Sequence, residues 1–100
     1  MTLLEAASTL GGQLVLASKS KWRKDLKGIV DWYVSEVERL GVTLRLNQLA
    51  EAEDALRLDP DVIFIATGGL PDVGSFKGAA LATSTWDVLS GQSEGAEEVL

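Results

Sequence analysis

The 100-residue chain contains no cysteine and no histidine. Without cysteine there is no disulfide, no thiolate nucleophile, and no cysteine-held zinc or iron–sulfur cluster. Without histidine the commonest general base and the commonest metal ligand are missing. Acid–base or nucleophilic chemistry by its own side chains near neutral pH is therefore not expected. Cations are scarce, 9 Lys and Arg against 15 Asp and Glu, for a net charge of −6. That balance argues against nucleic acid and anionic membranes, both of which reward basic surface. No apolar run approaches the roughly 20 residues that span a bilayer, and the opening Met1-Thr2-Leu3-Leu4-Glu5 lacks the basic flank of a secretory signal. A cytoplasmic, binding-type role is the expectation.

What is present fits one small folded unit, since 46% hydrophobic residues are too many for a disordered chain. Thr2 to Ala6 is a short apolar run closing on Glu5, and reads as a strand. Ala7 to Gly12 is a small-residue loop. Gln13 to Ser18 suits either a buried strand or a turn of helix, and its length does not decide between them. From Lys21 to Leu40, Trp22, Leu26, Ile29, Val30, Tyr33, Val37 and Leu40 recur every three or four residues, one face of a helix about 30 Å long. Ser20 is the expected N-cap, and Gly41 stands where a left-handed C-terminal residue is wanted. Trp22, Trp32 and Tyr33 are expected to pack into the core.

Val42 to Asn47 alternates apolar with polar, as a half-buried strand does. Ala50 to Leu58 forms a short helix that Asp59-Pro60 ends. Asp61 to Ala66 (DVIFIA) is continuously apolar after its first residue, the signature of a strand buried on both faces of a parallel sheet. Ser84 to Leu89 gives one or two helical turns. The expected fold is therefore α/β, a parallel sheet in β-α-β-α-β order. Residues 1–92 form the domain, and 93–100 are a polar tail or the start of a linker.

The candidate site gathers at the carboxyl ends of these strands, where open α/β sheets bind ligands. Glu5 closes the first strand, and a carboxylate there accepts hydrogen bonds from two ribose hydroxyls at once. The plainer alternative is a solvated strand-end acid. Gly11 and Gly12 let a ligand approach the backbone closely, or merely form a tight turn. Gly68 follows the DVIFIA strand directly. Lys19, Lys21, Arg23 and Lys24 make a small basic cluster, read as solubilising surface or as a phosphate contact. Glu51, Glu53 and Asp54 read as a solvated helix face rather than a metal site.

In sequence order, Thr2-Leu3-Leu4-Glu5-Ala6, Gly11-Gly12-Gln13-Leu14, a long amphipathic helix, Gly41-Val42-Thr43-Leu44 and Asp61-Val62-Ile63-Phe64-Ile65-Ala66-Thr67-Gly68 resemble the FAD/NAD(P)-binding region of the NADH:flavin oxidoreductase family, which includes 2,4-dienoyl-CoA reductase, trimethylamine dehydrogenase and histamine dehydrogenase. The resemblance implies a partial Rossmann-like three-layer sheet lacking its first strand and glycine-rich loop. It implies that Glu5 binds the adenosine ribose of FAD, or of ADP. Gly11, Gly12 and Gln13 would lie along the adenosine and pyrophosphate, and Ala66, Thr67 and Gly68 would pass near the cofactor. FMN and an iron–sulfur cluster would belong to parts of the family not found in these residues. The expected partner is the remainder of a parent oxidoreductase, with no nucleic acid and no membrane.

A topological expectation follows from that resemblance. The absent strand would pair with both Thr2–Ala6 and Asp61–Ala66, and each unpaired buried backbone group costs about 1–3 kcal/mol. The chain is then expected either to pair those two strands directly or to self-associate through them. The rival reading is a free-standing α/β interaction module with no nucleotide ligand.

Overall fold

The first apolar run condenses into strand β1, Thr2–Leu4, in a computed structural model that describes residues 1–93. β1 pairs in parallel with β2, Thr43–Arg45, with Thr2 opposite Thr43, Leu3 opposite Leu44 and Leu4 opposite Arg45. Backbone bonds carry the pairing past both ends. Thr43 N–H donates to Met1 O at 3.1 Å, Glu5 N–H to Arg45 O at 3.0 Å, and Gln48 N–H to Glu5 O at 2.9 Å. Along the second strand Leu44 and Leu46 turn half-buried while Thr43, Arg45 and Asn47 face solvent, the two-residue alternation of a strand covered on one face.

The crossover between the strands is helical. Gln13 to Ser18, ambiguous by pattern, resolves as a helix, α1, Gly12–Ala17. The long helix starts later than its periodicity suggests: Lys21–Arg23 forms one separate 3-10 turn, and α2 runs Leu26–Arg39. Ser20 does not cap it. Its hydroxyl donates back to Ala17 O at 3.0 Å, the local backbone bond that draws serine away from capping. The far end matches expectation: Gly41 takes φ 65°, its N–H donates to Glu38 O, and Val42 N–H reaches Val37 O at 3.1 Å. These are the two bonds of a Schellman stop.

α3, Ala52–Leu56, begins where Glu51 N–H donates to Asp54 Oδ2 at 3.0 Å. α4, Thr85–Ser90, is closed at its start by a reciprocal box: Asp87 N–H donates to Ser84 Oγ at 3.2 Å and Ser84 N–H to Asp87 Oδ2 at 3.3 Å. α4 packs against α1, and α1 against α2. The expected tail lies, apart from Ser93, outside the described residues.

Two expectations are overturned. Asp61–Ala66 forms no strand; among the described residues the sheet has two strands, and every residue from 61 to 70 is exposed. Nor does the stretch close the gap by pairing with β1. Apolar, β-branched composition confers the tendency to be a strand, but a ladder requires hydrogen bonds to a second backbone, and the stretch makes none among the described residues. The aromatic side chains also stay outside the core: Trp22 is 76% exposed, Trp32 58% and Tyr33 59%. Instead Trp32 meets Tyr33 edge to face at 4.9 Å, and the Arg23 guanidinium lies 4.1 Å over the Trp22 ring.

Val30, 7% exposed, is the one buried residue among those described. The chain shows 8627 Å² of surface, where a folded monomer of its mass shows about 5500 Å². Its radius of gyration is 17.0 Å, against about 13 Å for a compact domain of this length. The elements are formed, but much apolar surface is left without a cover.

Candidate functional site

Glu5 stands just beyond β1, and its main chain is gripped on both sides by the continuation of β2. Its Oε1 accepts from Ala7 N–H at 2.8 Å, which folds the carboxylate over the turn leaving the strand. Oε2 makes no hydrogen bond among the described residues. The arrangement presents one fixed, half-buried acid with acceptor capacity to spare, as ribose hydroxyls would require.

Gly11, Gly12 and Gln13 lead into α1, and the two glycines do different work. Gly11 has φ 113°, and a Cβ there would lie 2.6 Å from Val30 Cγ1 and 2.7 Å from Val15 Cγ2. Its bareness lets α1 close onto α2, a packing role that the ligand reading of the sequence did not foresee. Gly12 has φ 48° and open space around the position of a Cβ, so its backbone is approachable from outside.

Gln13 reaches across the chain. Its Nε2 donates to Gly69 O at 3.2 Å, bridging 56 positions, and lies 3.5 Å from where a Cβ on Gly68 would stand. Gly68 itself has φ 72°. The structure thus brings the start of α1 together with the Gly68-Gly69 segment that follows Ala66 and Thr67. No hydrogen bond joins Glu5 to Ala66, Thr67 or Gly68 among the described residues. The Gly69 carbonyl was not among the expected site groups, and no sequence signal marks an acceptor so distant from its donor.

An open apolar hollow of about 400 Å³ lies elsewhere, between the loop after Glu5, α2 and β2, lined by Leu10, Val15, Val30, Val34, Leu44 and Leu46. None of the seven expected site residues lines it. It is slack in a thin core rather than the expected cleft. Glu53 and Asp54 pair with Arg57 at 3.3 and 3.2 Å, and no group of acids able to hold a metal ion occurs among the described residues.

No family model matches the chain. Individual proteins do. It is 52% identical to the multifunctional alkene reductase/demethylase OYE of Caballeronia cordobensis over 90% of its own length and 13% of that protein's. Identity to a probable N-methylproline demethylase of Rhizobium meliloti is 43%, covering 98% and 15% respectively. Identity to an NADH oxidase of Thermoanaerobacter brockii is 38%, covering 90% and 14%. Among solved structures, 2-naphthoyl-CoA reductase in complex with 2-naphthoyl-CoA superposes with a TM-score of 0.85 at 31% identity, over 94% of this chain and 14% of that one. The chain spans about one-seventh of the length of the proteins it matches. It belongs with the NADH:flavin oxidoreductase-like proteins, as the counterpart of one segment of them.

Proposed function

We propose that the chain forms the adenosine-ribose side of an FAD or ADP site in a larger, cytoplasmic flavin-dependent oxidoreductase, and supplies no catalytic residue of its own. The hydrogen bond from Gln13 to Gly69 carries this reading, because it joins two glycine-containing segments of the chain. Gly12 and Gly69 leave open space where side chains would stand, so a sugar or phosphate can lie against the backbone there. Glu5, braced by Ala7, offers its second oxygen to ribose hydroxyls. These groups fit the adenosine end of a dinucleotide. A bound flavin would supply hydride and electron transfer, while this chain's part would be to hold and orient.

The excess exposed surface supports the same reading, since the remainder of a parent oxidoreductase would cover it. No helix among the described residues is long and apolar enough to cross a membrane. Left uncovered, the free edge of β1 and the unpaired, exposed Asp61–Ala66 stretch favour self-association of this chain, which light scattering over a concentration series would reveal as a rising mass.

The test is an NMR titration of the ¹⁵N-labelled chain with ADP. Weak binding is expected, with Kd of about 1 mM, because a glycine-rich phosphate loop of the kind that grips pyrophosphate is missing from these residues. Amide shifts should concentrate at Glu5, Gly11, Gly12, Gln13, Ala66, Thr67 and Gly68. Glu5→Ala should weaken binding about tenfold. Shifts confined to Lys19–Lys27 would mean simple phosphate attraction to the basic cluster, and would overturn the reading.

A further inference from the structure

The stretch after α3 raises a physical question: what holds it in place? From Pro60 to Pro71 no backbone group joins a ladder or a turn, and every residue but one in a long run there is free of any hydrogen bond among the described residues. The exception is Gly69, whose carbonyl accepts from Gln13 Nε2 at 3.2 Å. Farther along, α4 packs against α1. The described part of the chain that follows α3 thus meets α1 in two ways, by the packing of α4 and by a single polar bond.

We propose that Gln13 is a positioning residue: its side-chain amide holds the Gly68-Gly69 pair to the start of α1 and so sets the spacing between Ala66–Gly68 and Gly11-Gly12. This rests on the nucleotide reading above for its purpose, though not for its geometry. In this role Gln13 acts through the Gly68-Gly69 pair. Glutamine suits the task because a primary amide donates while its own oxygen remains an acceptor. The glycine pair suits it too. Gly68 has φ 72°, and the Gln13 nitrogen rests at van der Waals distance from the place a Cβ would fill, so the side-chain amide comes close to bare backbone.

The test compares Gln13→Ala with Gln13→Glu in the full chain. Glutamate matches glutamine in shape but is acceptor-only when ionised, so at neutral pH both variants should lose the bond. The readouts are the Gly69 carbonyl ¹³C resonance and Overhauser contacts from the Gln13 side-chain amide to Gly68 and Gly69. In the unsubstituted chain the contacts should be present. In both variants the Gly69 resonance should move in the same direction, away from its hydrogen-bonded position. Lowering the pH through the carboxylate range should restore it in Gln13→Glu, whose protonated carboxyl can donate, and not in Gln13→Ala. ADP affinity should fall at least threefold in both variants at neutral pH. An unmoved Gly69 resonance in Gln13→Ala would overturn the proposal even if ADP still bound. Absence of any ADP response in the unsubstituted chain, with Gly69 moving as described, would instead overturn the nucleotide reading and leave the latch standing.

Discussion

β1, β2 and the Asp61–Ala66 stretch carry similar apolar residues and reach opposite ends. Thr2–Leu4 and Thr43–Arg45 form a ladder, although each is short and each mixes polar with apolar residues. Val62, Ile63, Phe64 and Ile65 are the better strand formers, yet they pair with nothing, and Phe64 and Ile65 are 87% and 85% exposed. The difference lies in what brings a partner. α2 spans the gap between β1 and β2, turns the chain at Gly41 and delivers the second strand alongside the first. α3 is only Ala52–Leu56, and the chain leaves it through Asp59, held at φ 46° before Pro60, without pairing to the free edge of β1. Strand character is a property of residues, but a strand is a property of pairs.

The sharpest way to break the contrast is to attack the packing that only the first region has. Gly11→Ala would thrust a methyl group to within 2.6 Å of Val30 and 2.7 Å of Val15, at φ 113°. Overpacking and backbone strain together should cost about 2–5 kcal/mol, a large share of what a domain of this size has. Gly12→Ala, also at positive φ but in open space, should cost only about 1 kcal/mol. Loss of amide protection along α2 in the first variant and its retention in the second checks both. Equal losses would show that the close approach of α1 and α2 has no energetic weight.

Next in size is the buried side chain itself. Val30→Ala removes two methyl groups from the one buried position and should cost about 2 kcal/mol. Ile65→Ala removes a larger group from a position 85% exposed and should stay within about 0.5 kcal/mol. Denaturant midpoints measured under one set of conditions give the comparison directly. A substantial loss in Ile65→Ala would mean that the stretch is covered in solution, as self-association would bring about.

The elements whose causes are local were legible in the residues alone. The Schellman stop at Gly41, the strand alternation from Val42 to Asn47, the break at Asp59-Pro60 and the short helix after Ser84 all depend on neighbours a few positions away. The parallel sense of the ladder followed from the helical crossover. What failed to show were features decided at a distance. Trp22, Trp32 and Tyr33 sit on a helical stripe whose pattern asks for burial, but pattern alone does not say whether a covering surface exists. The DVIFIA run reads as doubly buried for the same reason. At the site, Glu5 and the glycines were legible as types, while Gly11's contact with Val30 and Gln13's reach to Gly69 depend on how α1 sits against the rest of the chain. Family resemblance supplied a ligand for these residues, and the geometry separates the packing glycine from the approachable one.

A smaller effect should come from α4, the one element beyond Asp61 among the described residues with its own polar closure. Ser84→Ala deletes the hydroxyl that receives Asp87 N–H and should cost about 1 kcal/mol of local stability. It should fray α4, with little change at β1 and β2. Amide exchange at Asp87 and Val88 against that at Leu44 reads out the split. If the ladder loosens equally, α4 and α1 act as one cooperative body, and the two regions are less independent than their hydrogen bonding suggests.

The weakest expected effect concerns charge. Every ion pair among the described residues lies before Asp59: Lys27 with Asp31, Arg39 with Glu36, and Arg57 with Glu53 and Asp54. Arg39 grips Glu36 with two bonds, at 3.0 and 2.7 Å, and this contact holds the Glu36 carboxyl below its ordinary range. A carboxyl lowered in the folded chain binds its proton less readily than in the unfolded chain. Its contribution is therefore complete above the ordinary carboxylate range and fades as pH falls through the lowered value. Arg39 sits in the last turn of α2, where a cation also meets the helix dipole favourably, but both side chains are solvated and salt screens them. Acidification should thus slightly loosen the turn from Glu36 to Gly41, and molar salt at neutral pH should mimic part of that loosening. Arg39→Gln should return the Glu36 titration toward the ordinary range, as followed by its side-chain carbonyl resonance. The backbone resonances of Val62 to Ile65 should stay fixed on Arg39→Gln at constant pH, because no charged pair holds that stretch. If they moved with Glu36, a coupling between the two regions would exist that neither the ladder nor the Gln13 bond explains.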